Sequence, residues 1–247
     1  MLQGERQEQI LKQLEIKRAV EVASLAREMG ISESTIRRDI NELHHMGKLK
    51  KVFGGAISIS GGMAFGSTNV AVRAHINVGE KEQIAKYAAT MVQENDFVFI
   101  DAGTTTERMI PYLEKKSVTY VTNGIVHAKK LIDRGLDAYI IGGLLRPSTE
   151  AAIGTGAIES IKQYNFTKSF MGTNGVDLER GFSTPDIGEA AVKAAVMKQS
   201  DKSVVLADHT KFGIISPVTF AALADACVIT DRSAPRYDPY TAIQVAE

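Results

Sequence analysis

Tryptophan is absent from this chain, and only 6% of its 247 residues are aromatic. A surface that stacks the bases of single-stranded nucleic acid needs such rings, so that function is disfavoured. Cysteine is nearly absent too. Cys227 stands alone and cannot close a disulfide within the chain. In the apolar run 226-ACVIT-230 it reads as a small buried core residue. No apolar run is long enough to span a bilayer, and no signal peptide is read at the N-terminus, so the cytoplasm is the expected compartment. An excess of either charge is also missing. Lys+Arg and Asp+Glu both number 29, and net charge names no partner. Residues 1–57 carry ten basic against eight acidic side chains, a weak basic bias.

What is present begins with three short helical patterns. In 5-ERQEQILKQLEI-16 the apolar residues are Ile10, Leu11 and Leu14. In 21-EVASLAREMG-30 they are Val22, Leu25, Ala26 and Met29, with Gly30 as a stop. In 32-SESTIRRDINELHHMG-47, Ser32 is placed to cap the helix and Gly47 to end it. Ile36, Ile40 and Leu43 form one apolar stripe. The opposite face carries Ser34, Arg38, Asn41 and His45, flanked by Thr35 and Arg37. Only Gly30-Ile31-Ser32 separates the second helix from the third, which is helix-turn-helix spacing. The third helix is then the one that enters a major groove. In 48-KLKKVFGGA-56 a short lysine-bearing strand precedes a Gly-Gly turn, and this reads as a wing with Lys50 and Lys51 suited to phosphates. His44 and His45 have no Cys or His at ligand spacing, so no metal is expected. The bland alternative for Arg37-Arg38 is a solvated face with salt bridges to Asp39 and Glu42.

The run 34-STIRRDINELHHMGKLKKVFGGA-56 resembles the DNA-binding signature of DeoR-type bacterial repressors. "TIRRD" and the terminal "GGA" carry most of that likeness. Phe53 is a departure, because the family often has His before Gly-Gly. The resemblance implies that Ser34, Thr35, Arg37 and Arg38 face DNA.

Residues 57-ISISGGMAFGSTN-69 are rich in Ser and Gly and read as a connector. The expected organisation is a winged helix over 1–57, a linker over 58–72 and a larger α/β domain over 73–247. In that domain, strand-like runs at 97–101, 118–122, 138–142, 169–173, 204–208 and 226–230 alternate with helical ones. This implies a largely parallel sheet with helices covering it. Ligands of such sheets bind beyond the carboxyl ends of the strands. Those ends carry Asp101-Ala102-Gly103-Thr104-Thr105, Thr122-Asn123, Gly142-Gly143 with Arg146 after it, Gly172-Thr173-Asn174 and Asp208-His209-Thr210-Lys211.

Gly103 permits close approach of a ligand, and Thr104 and Thr105 open a helix whose amides can hold an anion. Neither a phosphate-loop nor a dinucleotide fingerprint is present, and no cofactor is expected. Asp101 suits sugar hydroxyls, while Arg146 and Lys211 suit a phosphate. Pro111 should shorten or bend the helix after the Gly-Thr-Thr turn. The C-terminal segment 234–247 shows no motif and is assigned only a covering role.

The resemblance extends over nearly the whole chain. 101-DAGTTT-106, 122-TN-123, 142-GG-143, 172-GTNG-175, 189-EAAVK-193 and 208-DHTKFG-213 look like the sensor domain of the same family. That domain is similar to ribose-5-phosphate isomerase and coenzyme A transferases. The candidate effector contacts are Asp101, Gly103, Thr104, Thr105, Thr122, Asn123, Gly143, Arg146, Asn174, Glu189, Asp208 and Lys211. What the resemblance implies is a repressor released from operator DNA by a phosphorylated sugar; helix-turn-helix proteins commonly bind paired half-sites as dimers, so a homo-oligomer is expected. Segments 183–193 and 101–107 look most like the branch that regulates fructose operons. Fructose-1-phosphate is therefore the first effector to consider and tagatose-6-phosphate the next. Two other readings stand beside it. One is a sugar-phosphate isomerase using Asp101, Glu189 and Asp208 as acid or base and Lys211 as a stabiliser. Residues 1–56 would be idle in such an enzyme. The other is an interaction protein whose N-terminal domain binds protein.

Overall fold

The computed structural model describes residues 2–17, 19–46, 48–58, 70–114 and 117–246. It divides into two compact units, Met1–Ile76 and Asn77–Glu247. Most of the expected linker, 59–69, lies outside the described residues, as does Gly47.

The first unit contains α1 (Gln3–Lys17), β1 (Ala19–Glu21), α2 (Val22–Met29), α3 (Glu33–His45), β2 (Lys50–Val52), β3 (Gly55–Ile57) and the short α4 (Val70–Arg73). Ile10, Leu14, Leu25, Ile36, Ile40 and Leu43 are buried together, so the stripe read from the sequence is the core of the three helices. Gly30 takes a left-handed conformation (φ 65°), and its N–H returns to the carbonyls of Ala26 and Arg27. Ser32 caps α3 by accepting the Thr35 N–H at 3.4 Å.

One element was not expected from the sequence. β1 pairs antiparallel with β3, and β3 pairs with β2, giving the order β1-β3-β2. That sheet explains the Gly-Gly-Ala of the wing. Gly54 has φ 76°, the turn conformation that glycine tolerates best. A Cβ on Gly55 would stand 2.0 Å from the Val20 carbonyl oxygen across the β1–β3 pair, and Ala56 is fully buried. The motif is a packing requirement of the wing.

The second unit runs α5 (Val78–Thr90), β4 (Phe97–Ile100), α6 (Thr104–Glu107), β5 (Thr119–Thr122), α7 (Ile125–Asp133), β6 (Asp137–Ile140), β7 (Leu144–Arg146), β8 (Ala151–Ile153), α8 (Thr155–Ile161), β9 (Phe166–Gly172), β10 (Gly175–Asp177), β11 (Gly181–Thr184), α9 (Ile187–Lys198), β12 (Ser200–Leu206), β13 (Val218–Ala221), β14 (Cys227–Thr230) and β15 (Ile243–Val245). Seven strands form one sheet, β15-β14-β12-β9-β4-β5-β6, and every pairing in it is parallel. Both faces are covered. Phe99, Val121, Met171, Val205 and Val228 enter one apolar cluster, while Val98, Ile100, Tyr120, Phe170, Val204 and Ile229 enter another. Strands buried on both sides read as continuous apolar runs, as these do. A three-stranded antiparallel sheet, β10-β11-β13, and a β7–β8 ribbon complete the unit.

Three details position the site. From β4 the chain adds β5 and β6 on one side, then returns to place β9, β12, β14 and β15 on the other. The order reverses between β4 and β9, and a crevice for ligands opens at such a point. α6 lasts four residues, and a 3-10 turn over Ile110–Tyr112 follows. Pro111 sits in that turn, where its missing N–H does not interrupt an α-helix. The C-terminal segment does more than cover the domain: Ile243–Val245 forms β15 on the outer side of β14. Cys227 is half-buried on β14, with Sγ 3.7 Å from the Ser203 carbonyl oxygen, and burial pushes its thiol pKa up.

Candidate functional site

The first unit turns a basic face outward. Ser34, Arg37, Arg38, Lys50 and Lys51 are exposed, and Thr35 is half-buried. The hydroxyls of Ser34 and Thr35 lie 3.0 and 2.9 Å from that of Ser32, a polar cluster at the first turn of α3. Arg37 donates to Glu33 at 2.9 Å, one turn back. The pairs weighed with Asp39 and Glu42 are not seen: Arg37 and Arg38 stand two and one residues from Asp39, spacings that do not face each other on a helix, and Glu42, four residues after Arg38, accepts from Gln3 and Gln7 instead. Asp39 is instead fully buried and accepts from Arg6 Nε at 2.8 Å and Nη2 at 3.1 Å. Those bonds raise the pKa of the Arg6 guanidinium. Glu42 accepts from Gln7 Nε2 at 2.8 Å. These two acidic groups of α3 therefore hold α1, which leaves Arg37 and Arg38 on the outer face.

In the second unit the polar groups gather at the carboxyl ends of the strands. The Gly-Thr-Thr turn is braced from within. Gly103 donates its N–H to the Asp101 carbonyl at 2.8 Å and to Thr106 Oγ1 at 3.0 Å. Thr106 is buried and donates in turn to the Asp101 carbonyl at 2.6 Å. Asn123 Oδ1 accepts the Ala102 N–H at 2.8 Å. Thr122 donates to the Ile100 carbonyl at 2.6 Å and accepts the Gly124 N–H at 3.0 Å. Thr122 and Asn123, expected to touch a ligand, thus act first as struts of the loop. Gly143 has a structural reason of its own, because a Cβ there would meet the Ile153 carbonyl oxygen at 2.6 Å.

Asp101 is nearly fully buried, and its Oδ2 receives both the Lys193 ammonium and the Gly172 N–H, the latter at 3.0 Å. Lys193 also donates to the Gly172 carbonyl at 3.0 Å. One carboxylate oxygen is thereby committed to an ion pair where a sugar hydroxyl was expected. Arg146, expected as a countercharge, holds Asp186 at 2.7 Å. Asn174 Oδ1 and Glu189 Oε2 accept from Thr184 Oγ1 at 3.2 and 3.3 Å. Glu189 also meets the Asp186 cap through its own N–H at 2.9 Å.

Asp208 is 1% exposed. Its Oδ1 accepts from Asn77 Nδ2 at 3.0 Å, from the Thr210 N–H at 3.1 Å and from the Thr210 hydroxyl. Its Oδ2 is buried with no hydrogen-bond partner. Burial works against ionisation of this carboxyl. The charge of Lys211, the bonds from Thr210 and the charge of Lys81 outweigh it and hold the pKa below the usual value. Lys81 is 4% exposed and donates to Thr104 Oγ1 at 3.0 Å. A buried ammonium therefore stands on the first residue of α6, where the leading amides have no acceptor within the helix.

Lys81, Lys193, Asn77 and His127 were not singled out in the sequence. Lys193 falls within 189-EAAVK-193, four residues after Glu189, and that spacing is the one signal it gave. Lys81 reads like any lysine on a surface helix. Asn77 is at the N-cap of α5 in a left-handed conformation (φ 49°), yet its side chain makes no cap bond. It turns to Asp208 and Thr210 instead. His127 is buried under the turn, with Nε2 3.1 Å from the Gly103 carbonyl oxygen. Among the described residues, no group of three or more His, Cys, Asp or Glu is arranged to hold a metal. No described helix is long and apolar enough to cross a membrane.

A winged helix-turn-helix followed by a parallel α/β domain with polar side chains gathered at the carboxyl ends of its strands is the build of a DNA-binding regulator. Residues 6–61 match the DeoR-like helix-turn-helix domain, and residues 76–232 match the DeoR C terminal sensor domain. The chain belongs to the DeoR family of transcriptional regulators. It is 40% identical over 242 residues to the uncharacterized HTH-type transcriptional regulator FruR of Bacillus subtilis (strain 168), covering 97% of this chain and 96% of that one. It is 32% identical over 226 residues to the HTH-type transcriptional regulator IolR of the same organism, covering 90% and 88%. Among solved structures it is similar to ribose 5-phosphate isomerase A from Methanocaldococcus jannaschii, with a TM-score of 0.42, 16% identity and 55% of each chain covered.

Proposed function

We propose that this regulator represses a sugar-utilisation operon as a homo-oligomer and leaves its operator when a phosphorylated sugar binds the second unit. Fructose-1-phosphate is the first candidate, on the likeness of 183–193 and 101–107 to the fructose branch, and tagatose-6-phosphate is the second. The observation that carries the reading is Lys81. Its ammonium is buried beside Thr104 and the opening amides of α6. A phosphate there meets a cation and helix N–H groups together. The unsatisfied Oδ2 of Asp208 supplies an acceptor for a sugar hydroxyl. In this reading the domain binds its ligand and does not turn it over.

Coupling follows from what the first turn of α5 holds. Asn77 opens the second unit and is tied to Asp208, and Lys81 one turn later is tied to Thr104. A ligand that competes for either bond changes the free energy of that turn. A coupling of about 1–3 kcal/mol alters operator affinity about 5–150-fold, and operator alters ligand affinity by the same factor.

The test is thermal unfolding of the protein with a panel of ketose and aldose phosphates, the free sugars and inorganic phosphate. A ligand at about a hundred times its dissociation constant stabilises the unit it binds by about 2.7 kcal/mol. The expected result is a shift with one ketose phosphate and none with its free sugar. Absence of any shift removes the effector reading, and turnover of the phosphate would make the domain an enzyme.

A further inference from the structure

Among the described residues of the first unit, Phe53 is the only phenylalanine, tyrosine or tryptophan. It is 76% exposed. A single exposed apolar side chain is ordinary at a protein surface, so the exposure alone assigns nothing. Its position in the wing is the informative part. β2 ends at Val52 and β3 begins at Gly55, so Phe53 and Gly54 make the two-residue tip of the hairpin. The Gly54 carbonyl accepts the Val22 N–H at 2.8 Å. The tip is thereby carried at the start of α2, the helix that crosses the DNA backbone in a helix-turn-helix. His75 meets the Phe53 ring with centroids 4.8 Å apart. His75 is itself exposed, so the contact steadies the ring and does not bury it.

The charges on the hairpin suit a groove. Lys50 and Lys51 of β2 are both exposed. Successive residues of a strand face opposite ways, so the hairpin carries one ammonium on each face and an apolar ring at its end. Each wall of a DNA groove is a phosphate backbone. A ribbon that is basic on both faces and apolar at the tip fits over two such walls, with the lysines on phosphates and the ring toward the bases. With α3 in the major groove, the groove next to it is the minor one. That groove is about 6 Å wide, too narrow for a two-stranded ribbon, so only the tip side chain enters.

We propose that Phe53 is a wedge: it enters the minor groove beside α3, parts two stacked base pairs and bends the operator, while Lys50 and Lys51 hold the phosphates on either side. Apolar wedges of this kind bend a duplex by about 20–90°. Placement of α3 in the major groove belongs to the regulatory reading above, and the wedge adds to it a deformation of the DNA. A wedge reads sequence through deformability. Pyrimidine–purine steps unstack most easily, so the operator is selected under the wing at base pairs to which no side chain hydrogen-bonds.

The experiment uses the full-length protein and a duplex that wild type selects from a random-sequence pool. The duplex is labelled at both ends, so that energy transfer reports the bend. Compared are wild type, Phe53→Ala, Phe53→Leu, Lys51→Ala and His75→Ala. Wild type is expected to shorten the end-to-end distance. Phe53→Ala should bind at least about 5-fold more weakly, the low end of what one aromatic–base contact contributes, and should leave the duplex nearly straight. Its slope of log K against log salt should equal that of wild type, because the ring neutralises no phosphate. Lys51→Ala should do the reverse, keeping the bend and flattening the slope by about 0.9. Phe53→Leu retains an apolar wedge and should retain most of the bend. The three side chains replaced are exposed, so every variant is expected to unfold near the wild-type temperature. A straight duplex with wild type overturns the proposal, and so does a Phe53→Ala complex bent as sharply as that of wild type. A His75→Ala complex as straight as that of Phe53→Ala overturns it too, because the ring would then serve its contact with His75. No sugar enters the measurement, so its failure and that of the effector reading are told apart.

Discussion

Lys193 of α9 and Asp101 at the end of β4 form a buried ion pair, and Lys193 also donates to the Gly172 carbonyl at the end of β9. These are the two strands between which the sheet order reverses. One ammonium therefore ties the carboxyl ends of these two neighbouring strands together. The pair was invisible in sequence because its partners are 92 residues apart.

Lys193→Met leaves the Asp101 carboxylate buried without its countercharge. Loss of one partner of a buried pair costs about 3–5 kcal/mol. Urea unfolding should show that loss. In the double variant with Asp101→Leu the combined loss should be smaller than the sum. A single-variant loss under about 1 kcal/mol would mean that the pair behaves like one at the surface.

Gly55→Ala puts a methyl group 2.0 Å from the Val20 carbonyl oxygen, and backbone cannot yield as a side chain would. Overpacking of this kind costs about 1–3 kcal/mol. The wing should loosen and operator affinity should fall. The ligand-induced thermal shift of the second unit should persist. Wild-type DNA binding in a retardation assay would contradict this.

The double variant Arg37→Ala, Arg38→Ala tests the basic face. Every phosphate that the variant no longer neutralises should flatten the slope of log K against log salt by about 0.9. Binding to the chain's own upstream DNA with an unchanged slope would move the interface elsewhere and favour a protein partner for the first unit.

His127 predicts an acid limb of stability. Burial lowers its pKa, and the opposing pull of Glu107, Asp101 and the Gly103 carbonyl does not restore it. The folded state refuses a proton that the unfolded state accepts near the ordinary value of 6.5. Stability is thus complete above that pH and falls below it, by at most about 1.4 kcal/mol per pH unit, until the folded value is reached. His127→Gln should remove this slope. Asp208 acts in a lower window, because its folded carboxyl lies below the ordinary value of 3.8 and its contribution is lost as pH falls through the folded value. Chemical denaturation of wild type and variant between pH 2 and 8 checks both signs and both windows, with the flat arm expected above about 6.5 and the Asp208 loss confined to the acid end of the range.

The sequence by itself determined what local periodicity and backbone chemistry can carry. The apolar stripe at Ile36, Ile40 and Leu43, the Ser32 cap and the Gly30 stop act within one or two turns, so they were legible, and the third helix followed from them. Alternating apolar runs specified a parallel α/β unit, because strands buried on both faces leave a continuous signature. Pro111 announced a short helix through its own missing donor. Tertiary structure alone decided which charges meet. Asp39 went to Arg6 rather than to a neighbouring arginine, Arg146 went to Asp186, and Lys81 and Lys193 moved from helix patterns into the crevice. It also decided the outer strands. β1 is three residues long and exists because Gly55 lets β3 approach it. β15 exists because β14 offers it an edge. Pairings between distant segments depend on where the chain returns, and no short window of sequence contains that information.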